Sequence, residues 1–133
     1  MDINIKRDGL TLRGRLERPD TESKCPAVII FHGFTGDLGY ERDGLFQALA
    51  DLLTENGIAV VRFDFNGHGK SDGSFTDMNV LNEIEDAIAI LEYVRKLDFV
   101  TEIYVIGHSQ GGVVAGMLAG YYPDVIHKLV LLA

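Results

Sequence analysis

Residues 107–111 read Gly-His-Ser-Gln-Gly, a G-x-S-x-G pattern set between an apolar run (EIYVI, 102–106) and a small-residue stretch at 110–121. Between a strand and a helix this pattern has a chemical meaning. The turn is so tight that its flanks must be nearly free of side chains, and Gly107 and Gly111 meet that need, while Gly112 lets the helix approach the sheet. Ser109 is then forced into a strained backbone conformation, its hydroxyl lifted above the end of the strand as a nucleophile for acyl transfer. It also stands at a helix N-terminus, where free N–H groups favour developing negative charge. Acyl transfer further needs N–H donors aimed at an oxyanion. One is the backbone N–H of Gln110, directly after the nucleophile. The second is expected from the loop after an earlier strand, where His32-Gly33-Phe34-Thr35 follows AVIIF at 27–31 and Gly33 permits a close turn. Phe34 supplies that N–H. The competing interpretation is a pair of glycine turns, one with a capping serine and one with an aromatic plug.

Two other glycine clusters are weaker. Gly67-His68-Gly69-Lys70-Ser71 ends like a phosphate-binding loop, but Asp64 stands where the first glycine of G-x-x-x-x-G-K-[ST] belongs, and a carboxylate there would face the phosphates. Gly33-Phe34-Thr35-Gly36 does not complete a dinucleotide fingerprint. The four histidines are read as structural. His108 adjoins Ser109, but neighbouring side chains diverge at such a turn. His32 heads the oxyanion loop and makes a structural hydrogen bond. His68 lies in a loop that Asp64 and Ser71 hold together, and His127 is on the surface. Their separations give no metal pairing, so no metal is expected. Cys25 is a plain structural thiol.

The elements that must position these groups follow from periodicity. Residues 2–6 and 10–17 form a hairpin about the Asp8-Gly9 turn, the second strand alternating Leu10, Leu12, Gly14 and Leu16 against polar residues. Residues 27–31, 58–63, 102–106 and 128–132 are apolar strands. Helices are expected at 43–56, 78–97 and 110–121. The middle helix carries the stripe Val80, Ile84, Ala87, Leu91 and Val94, widened by Leu81 and Ile88. Glu83, Glu85, Asp86 and Glu92 lie mostly off it. Strands alternating with helices require parallel pairing by crossovers, so the class is α/β with an antiparallel hairpin at one edge. The strand at 128–132 has no helix after it in the sequence. The expectation is that residues 1–133 are the N-terminal portion of a single domain, with its C-terminal part elsewhere.

Composition narrows the field. Forty-seven per cent of the 133 residues are apolar and 24% charged, as in a folded soluble domain and unlike a disordered chain. No apolar run approaches the length of a membrane span, and with no apolar stretch after Met1, Asp2, Lys6 and Arg7 no secretory leader is expected. With a single cysteine, these point to the cytoplasm. Twelve basic residues against 20 acidic ones, net −8, argue against a nucleic-acid partner.

HGFTG at 32–36, RFDFNGHGKSDG at 62–73, LNEIEDA at 81–87 and GHSQGGVVAGMLAG at 107–120 together resemble the α/β-hydrolase superfamily, and more narrowly the bacterial cinnamoyl (feruloyl) esterases. FDFNGHG and LNEIEDA carry the narrower resemblance, with Asn66 where other hydrolases more often place Arg. The resemblance implies a serine carboxylic-ester hydrolase that releases hydroxycinnamic acids through an acyl-enzyme on Ser109, with Phe34 and Gln110 amides as the oxyanion hole. It implies a small-molecule ester as partner and no cofactor. The triad Asp and His follow the serine in chain order in such enzymes, and both would lie beyond Ala133. So would an insertion that shapes the acyl pocket. By itself the 133-residue chain is expected to be inactive and poorly soluble. A lipase, thioesterase or acyl-peptidase on the same fold, or a non-catalytic hydrolase-like binding module, are the alternatives. Acyl preference and oligomeric state are open at this level.

Overall fold

The computed structural model describes residues 1–133. Its N-terminal hairpin joins β1 (Asp2–Arg7) to β2 (Leu10–Glu17). Asp8 and Gly9 both have positive φ, 49° and 82°, as a two-residue turn matching the strand twist requires. Then come β3 (Cys25–Phe31), α1 (Leu45–Glu55), β4 (Ala59–Phe63), a short 3-10 turn (Phe75–Asp77), α2 (Val80–Arg95), β5 (Val100–His108), α3 (Gln110–Tyr121) and β6 (Ile126–Leu132). The six strands form one sheet in the order β1-β2-β4-β3-β5-β6. β1, β2 and β4 pair antiparallel, and β4, β3, β5 and β6 pair parallel. This is the α/β architecture that the alternation of elements predicts.

The period-2 direction of strand side chains divides the core between two faces. Ala27, Ile29 and Phe31 of β3 point into a cluster completed by Ile84, Ala87, Ile90, Leu91 and Val94 of α2 and Val114, Ala115 and Leu118 of α3. Val28 and Ile30 point the other way, to Ala50 of α1 and partly buried Phe46, Leu49 and Leu53. α1 therefore covers one face, and α2 and α3 the other. The apolar run 27–31 is buried on both sides, as its unbroken hydrophobicity requires. Beyond β5 the cover is thin: Leu129, Val130 and Leu131 of β6 and Val113 and Met117 of α3 are exposed. No helix is long and apolar enough to cross a membrane.

Two expectations about helix faces need correction. Leu81, assigned to the apolar side of α2, is 74% exposed, and Leu45 and Leu52 of α1 also face solvent. Glu83 and Asp86, assigned off the stripe, are buried. The reason is hydrogen bonding, which periodicity does not register. Asp86 accepts from the Arg7 Nε–H and from both the backbone and side-chain N–H of Asn66, each at 2.7 Å. A buried carboxylate so satisfied is tolerated where a bare one is not. Arg62 is likewise fully buried in the otherwise apolar β4. It donates to Glu17, to the Gln47 side chain and to the carbonyls of Leu38 and Gly39.

The register of the central strands sets up the site. β3 and β5 are adjacent and parallel, with Phe31 opposite Gly107. The residues that leave their carboxyl ends, His32–Phe34 and His108–Gln110, are therefore neighbours. The chain steps from β3 through α1 to β4 on one side, then through α2 to β5 on the other. Open α/β sheets bind ligands beyond the carboxyl ends of strands at such a switch point.

Candidate active site

Ser109 occupies the turn between β5 and α3 with φ 55° and ψ −121°, a region that non-glycine residues rarely adopt. What holds it there is contact on every side. Its N–H donates to the Leu132 carbonyl of β6 (2.9 Å), and its own carbonyl accepts from Gly112 (2.9 Å). A methyl group on Gly107 would strike the Gly111 carbonyl and the Cα of Gly112, and one on Gly111 would strike the carbonyls of Phe31 and His32. The glycines thus let α3 lie directly against β3 and β5. Gly33 approaches from the other side, where a Cβ would come within 3.1 Å of the Ser109 Cβ. The structure therefore brings together the two motifs that the sequence separates by more than seventy residues.

Ser109 is exposed and opens onto a cleft of about 390 Å³, within the size range of small-molecule sites. His32–Asp37, Glu41, Leu45, Phe46 and His108 contribute to its wall. Phe34 is half-exposed at the mouth, and its N–H has no backbone acceptor. Gln110 is the first residue of α3, where an N–H has no intrahelical partner. On the far side of Ser109 a second, apolar hollow is bounded by Gly112, Val113, Leu131, Leu132 and Ala133. No group of three or more His, Cys, Asp or Glu side chains is placed to hold a metal ion.

The histidines are engaged away from the serine. His32 is buried, and its Nε2 accepts from the Phe65 N–H (3.0 Å) while Nδ1 lies 2.7 Å from the Gly33 carbonyl. Nδ1 therefore carries the proton. His68 repeats the arrangement, with Nε2 accepting from the Thr35 N–H (3.3 Å) and Nδ1 facing the Asn66 carbonyl (3.0 Å). Thr35 has φ 64°, so His68 braces a strained point directly after Phe34. Phe75 stands edge-on to both Phe34 and His68, at 5.2 and 5.3 Å between ring centres. His108 lies edge-on to the ring of Phe46 in the wall of the cleft and makes no hydrogen bond to Ser109, and His127 is exposed in β6. Asp64 holds loops together: fully buried, it accepts from the N–H groups of Leu38 (2.7 Å) and Lys70 (2.8 Å) and from the Tyr40 hydroxyl. Ser71 ties the same loop to the Asp64 carbonyl (2.7 Å).

Sequence reasoning missed two buried partners of this region. One is the His68–Thr35 bond, which spans 33 residues. The other is Glu83, which accepts from the Gln110 side chain at 2.7 Å across 27 residues. Burial pushes the Glu83 carboxyl above its ordinary value, against the lowering effect of the Gln110 bond. It does the same to Asp86, against Asn66 and Arg7. Burial lowers His32 from its ordinary 6.5, with neighbouring His68 adding to the effect and the Gly33 carbonyl opposing it.

The His32 shift has a thermodynamic consequence. The unfolded chain takes up the proton as pH falls through 6.5, whereas the folded chain resists. This contribution to stability is complete above pH 6.5 and is lost below it. Glu83 and Asp86 act in the opposite sense, since their raised values let the folded state protonate first. His32→Gln, which keeps an acceptor for the Phe65 N–H, should therefore lose less stability than the parent between pH 6.5 and 5. Urea titrations across that window check it. Identical pH slopes would show that His32 is not the responsible group.

These features define a class of protein. A family model described as Serine aminopeptidase, S33 matches residues 22–133, and the chain belongs to that family of α/β-hydrolases. Among solved structures it resembles Est1E from Butyrivibrio proteoclasticus, seen with ferulic acid bound. There the TM-score is 0.88 and the identity 40%, over 96% of this chain and 50% of Est1E. The α/β hydrolase GrgF from a Penicillium species gives a TM-score of 0.87 at 26% identity, over all of this chain and 45% of GrgF. A putative esterase/lipase of Haemophilus influenzae is 30% identical over 107 residues, 80% of this chain and 33% of the relative. The chain spans about a third of the length of the curated relatives it matches and about half of the solved structures.

Proposed function

We propose that residues 1–133 are the N-terminal portion of one α/β-hydrolase domain, and that they supply the nucleophile and oxyanion hole of a serine carboxylic-ester hydrolase. The observation that carries this reading is Ser109 itself: an exposed residue on a strained turn that lines a cleft, followed by the first N–H of α3 and approached by the Gly33–Phe34 loop, whose Phe34 N–H has no backbone acceptor. Ser109 Oγ attacks the ester carbonyl. An Oγ–C bond forms, the hydroxyl proton passes to a base, and the carbonyl oxygen becomes an oxyanion received by the Phe34 and Gln110 amides. Collapse breaks the ester C–O bond, and the leaving alcohol takes the proton. Water then repeats the sequence in reverse on the acyl-enzyme. None of the four histidines here hydrogen-bonds Ser109: backbone groups hold His32 and His68, His108 packs on Phe46 and His127 is exposed. The base is therefore assigned to a histidine outside these 133 residues, oriented by an acid also outside them.

Hydroxycinnamate esters are the proposed substrates. The support is the likeness to Est1E at 40% identity, together with a cleft edged by Phe34, Leu45 and Phe46. Aromatic side chains at the mouth suit a planar aromatic acyl group. The test is a panel on the whole protein: methyl ferulate, p-nitrophenyl butyrate, a long-chain triglyceride, an acyl-CoA and an aminoacyl amide. The expected result is a kcat/KM for methyl ferulate about tenfold or more above the others, since an added apolar contact is worth about that factor. A fluorophosphonate adduct should map to Ser109. Preference for the thioester, lipid or amide would move the protein to another reaction of the same fold. No adduct and no turnover would leave a binding module.

A further inference from the structure

The reaction drawn above makes no use of FDFNGHG and LNEIEDA, yet in the fold these two stretches meet beneath the serine turn. Asn66 donates through Nδ2 to Asp86 Oδ2 (2.7 Å) and to Asn82 Oδ1 (3.0 Å). Three residues before Asp86 on the same helix, Glu83 is 1% exposed, and its Oε1 accepts from Gln110 Nε2 at 2.7 Å. Gln110 is the residue whose backbone N–H is the proposed oxyanion donor. A free glutamine side chain samples many rotamers, and its backbone N–H at a helix start has no neighbour to aim it. The bond to Glu83 changes that. It ties the side chain of the first residue of α3 to the first turn of α2, an element packed along the same core. A carboxyl also costs free energy when buried, and packing alone would accept leucine at this position.

We propose that Glu83 is a positioning residue: its hydrogen bond to the Gln110 side chain holds the first turn of α3 so that the Gln110 N–H points at the developing oxyanion. This rests on the reading of Ser109 as nucleophile. The acceptor oxygen, not the charge, is what the geometry uses, so glutamine should replace Glu83 and leucine should not.

The experiment compares E83L, E83Q and Q110M in the whole protein, with S109A as the blank. Removing one oxyanion donor outright costs about 10²–10³-fold in kcat, so misdirecting it should cost E83L about tenfold, with KM within twofold. E83Q should return to within about threefold of the parent, because an amide oxygen still accepts the bond. Q110M removes the bond from the other side and should match E83L, and it serves if E83L does not fold. A loss confined to KM, or E83Q as impaired as E83L, would overturn the proposal. Amide exchange is the second readout and needs no turnover. The Gly112 N–H, bonded to the Ser109 carbonyl, should exchange at least about tenfold faster in E83L and Q110M than in the parent and E83Q, in line with loss of a roughly 1.4 kcal/mol constraint on local opening. Unchanged exchange would overturn the positioning role whatever the activity. Absence of any Ser109-dependent hydrolysis in the parent would instead sink the esterase reading.

Discussion

Ser109→Ala in the whole protein should lower kcat for the proposed ester hydrolysis by on the order of 10⁴–10⁶-fold, to a remainder owed to oxyanion stabilisation and binding alone. The oxygen removed is the one proposed to form the covalent bond, and no neighbouring hydroxyl stands at the same turn. The fold should survive the change, because the contacts that fix the turn are made by backbone atoms: the Ser109 N–H to Leu132 and the Ser109 carbonyl to Gly112. Ser109→Gly separates the two roles further. It loses the same activity, but it also releases a residue held at φ 55°. Strain at such a position amounts to roughly 1–3 kcal/mol, partly offset by the greater freedom of glycine in the unfolded chain. The glycine variant should therefore be about 1 kcal/mol more stable than the alanine variant in urea titration. Equal activity in the parent and Ser109→Ala would remove Ser109 from the mechanism, and equal stability of the two variants would show that the turn is relaxed.

Gly111→Ala should destabilise the protein by about 3 kcal/mol or more, at the severe end of overpacking by a single methyl group. The added carbon would collide with two backbone carbonyls, those of Phe31 and His32, and neither can turn aside without disturbing the β3–β5 pairing. Relief requires α3 to withdraw from the sheet. Ser109 would then move away from the Phe34 loop, so activity should fall along with stability. Gly116, one and a half turns further along the same helix, makes the control. Nothing lies within 4 Å of a Cβ built there, so Gly116→Ala should gain the roughly 0.5–1 kcal/mol by which alanine exceeds glycine in a helix interior. Chemical denaturation of both variants decides the matter. A mild effect at Gly111 would mean that the helix and sheet are less tightly apposed than these contacts indicate.

The same helix shows what could be learned at each level. A glycine before and after a serine, between an apolar strand and a small-residue helix, is a local pattern. The forbidden backbone geometry it demands is local too, so Ser109, Gly107 and Gly111 were legible from their neighbours alone. So were the alternation of elements and the parallel class, because periodicity of 2 or 3.6 residues is a property of short windows. The faces of α2 were only half legible. Val80, Ile84, Ala87, Leu91 and Val94 turned inward as their spacing requires, but Leu81 faced solvent while Glu83 and Asp86 went inside.

Each of those buried carboxylates depends on a partner that hydropathy cannot weigh: Glu83 on Gln110, 27 residues on, and Asp86 on Asn66 and distant Arg7. Arg62 of β4 is buried because Glu17 comes to it from the neighbouring strand, 45 residues away, with Gln47 and the carbonyls of Leu38 and Gly39 also accepting from its guanidinium. His68 was placed in its loop from sequence, but its hold on Thr35 required β3 and β4 to lie side by side. Patterns along the chain thus marked Ser109 as the proposed nucleophile and fixed its turn and the class of fold, since backbone sterics and apolar periodicity act between near neighbours. Which charged side chains may be buried, and how the Phe34 loop and α3 are braced, was decided by folding. Burial of a polar group is permitted by the partner that meets it, and here that partner arrives from another strand or helix.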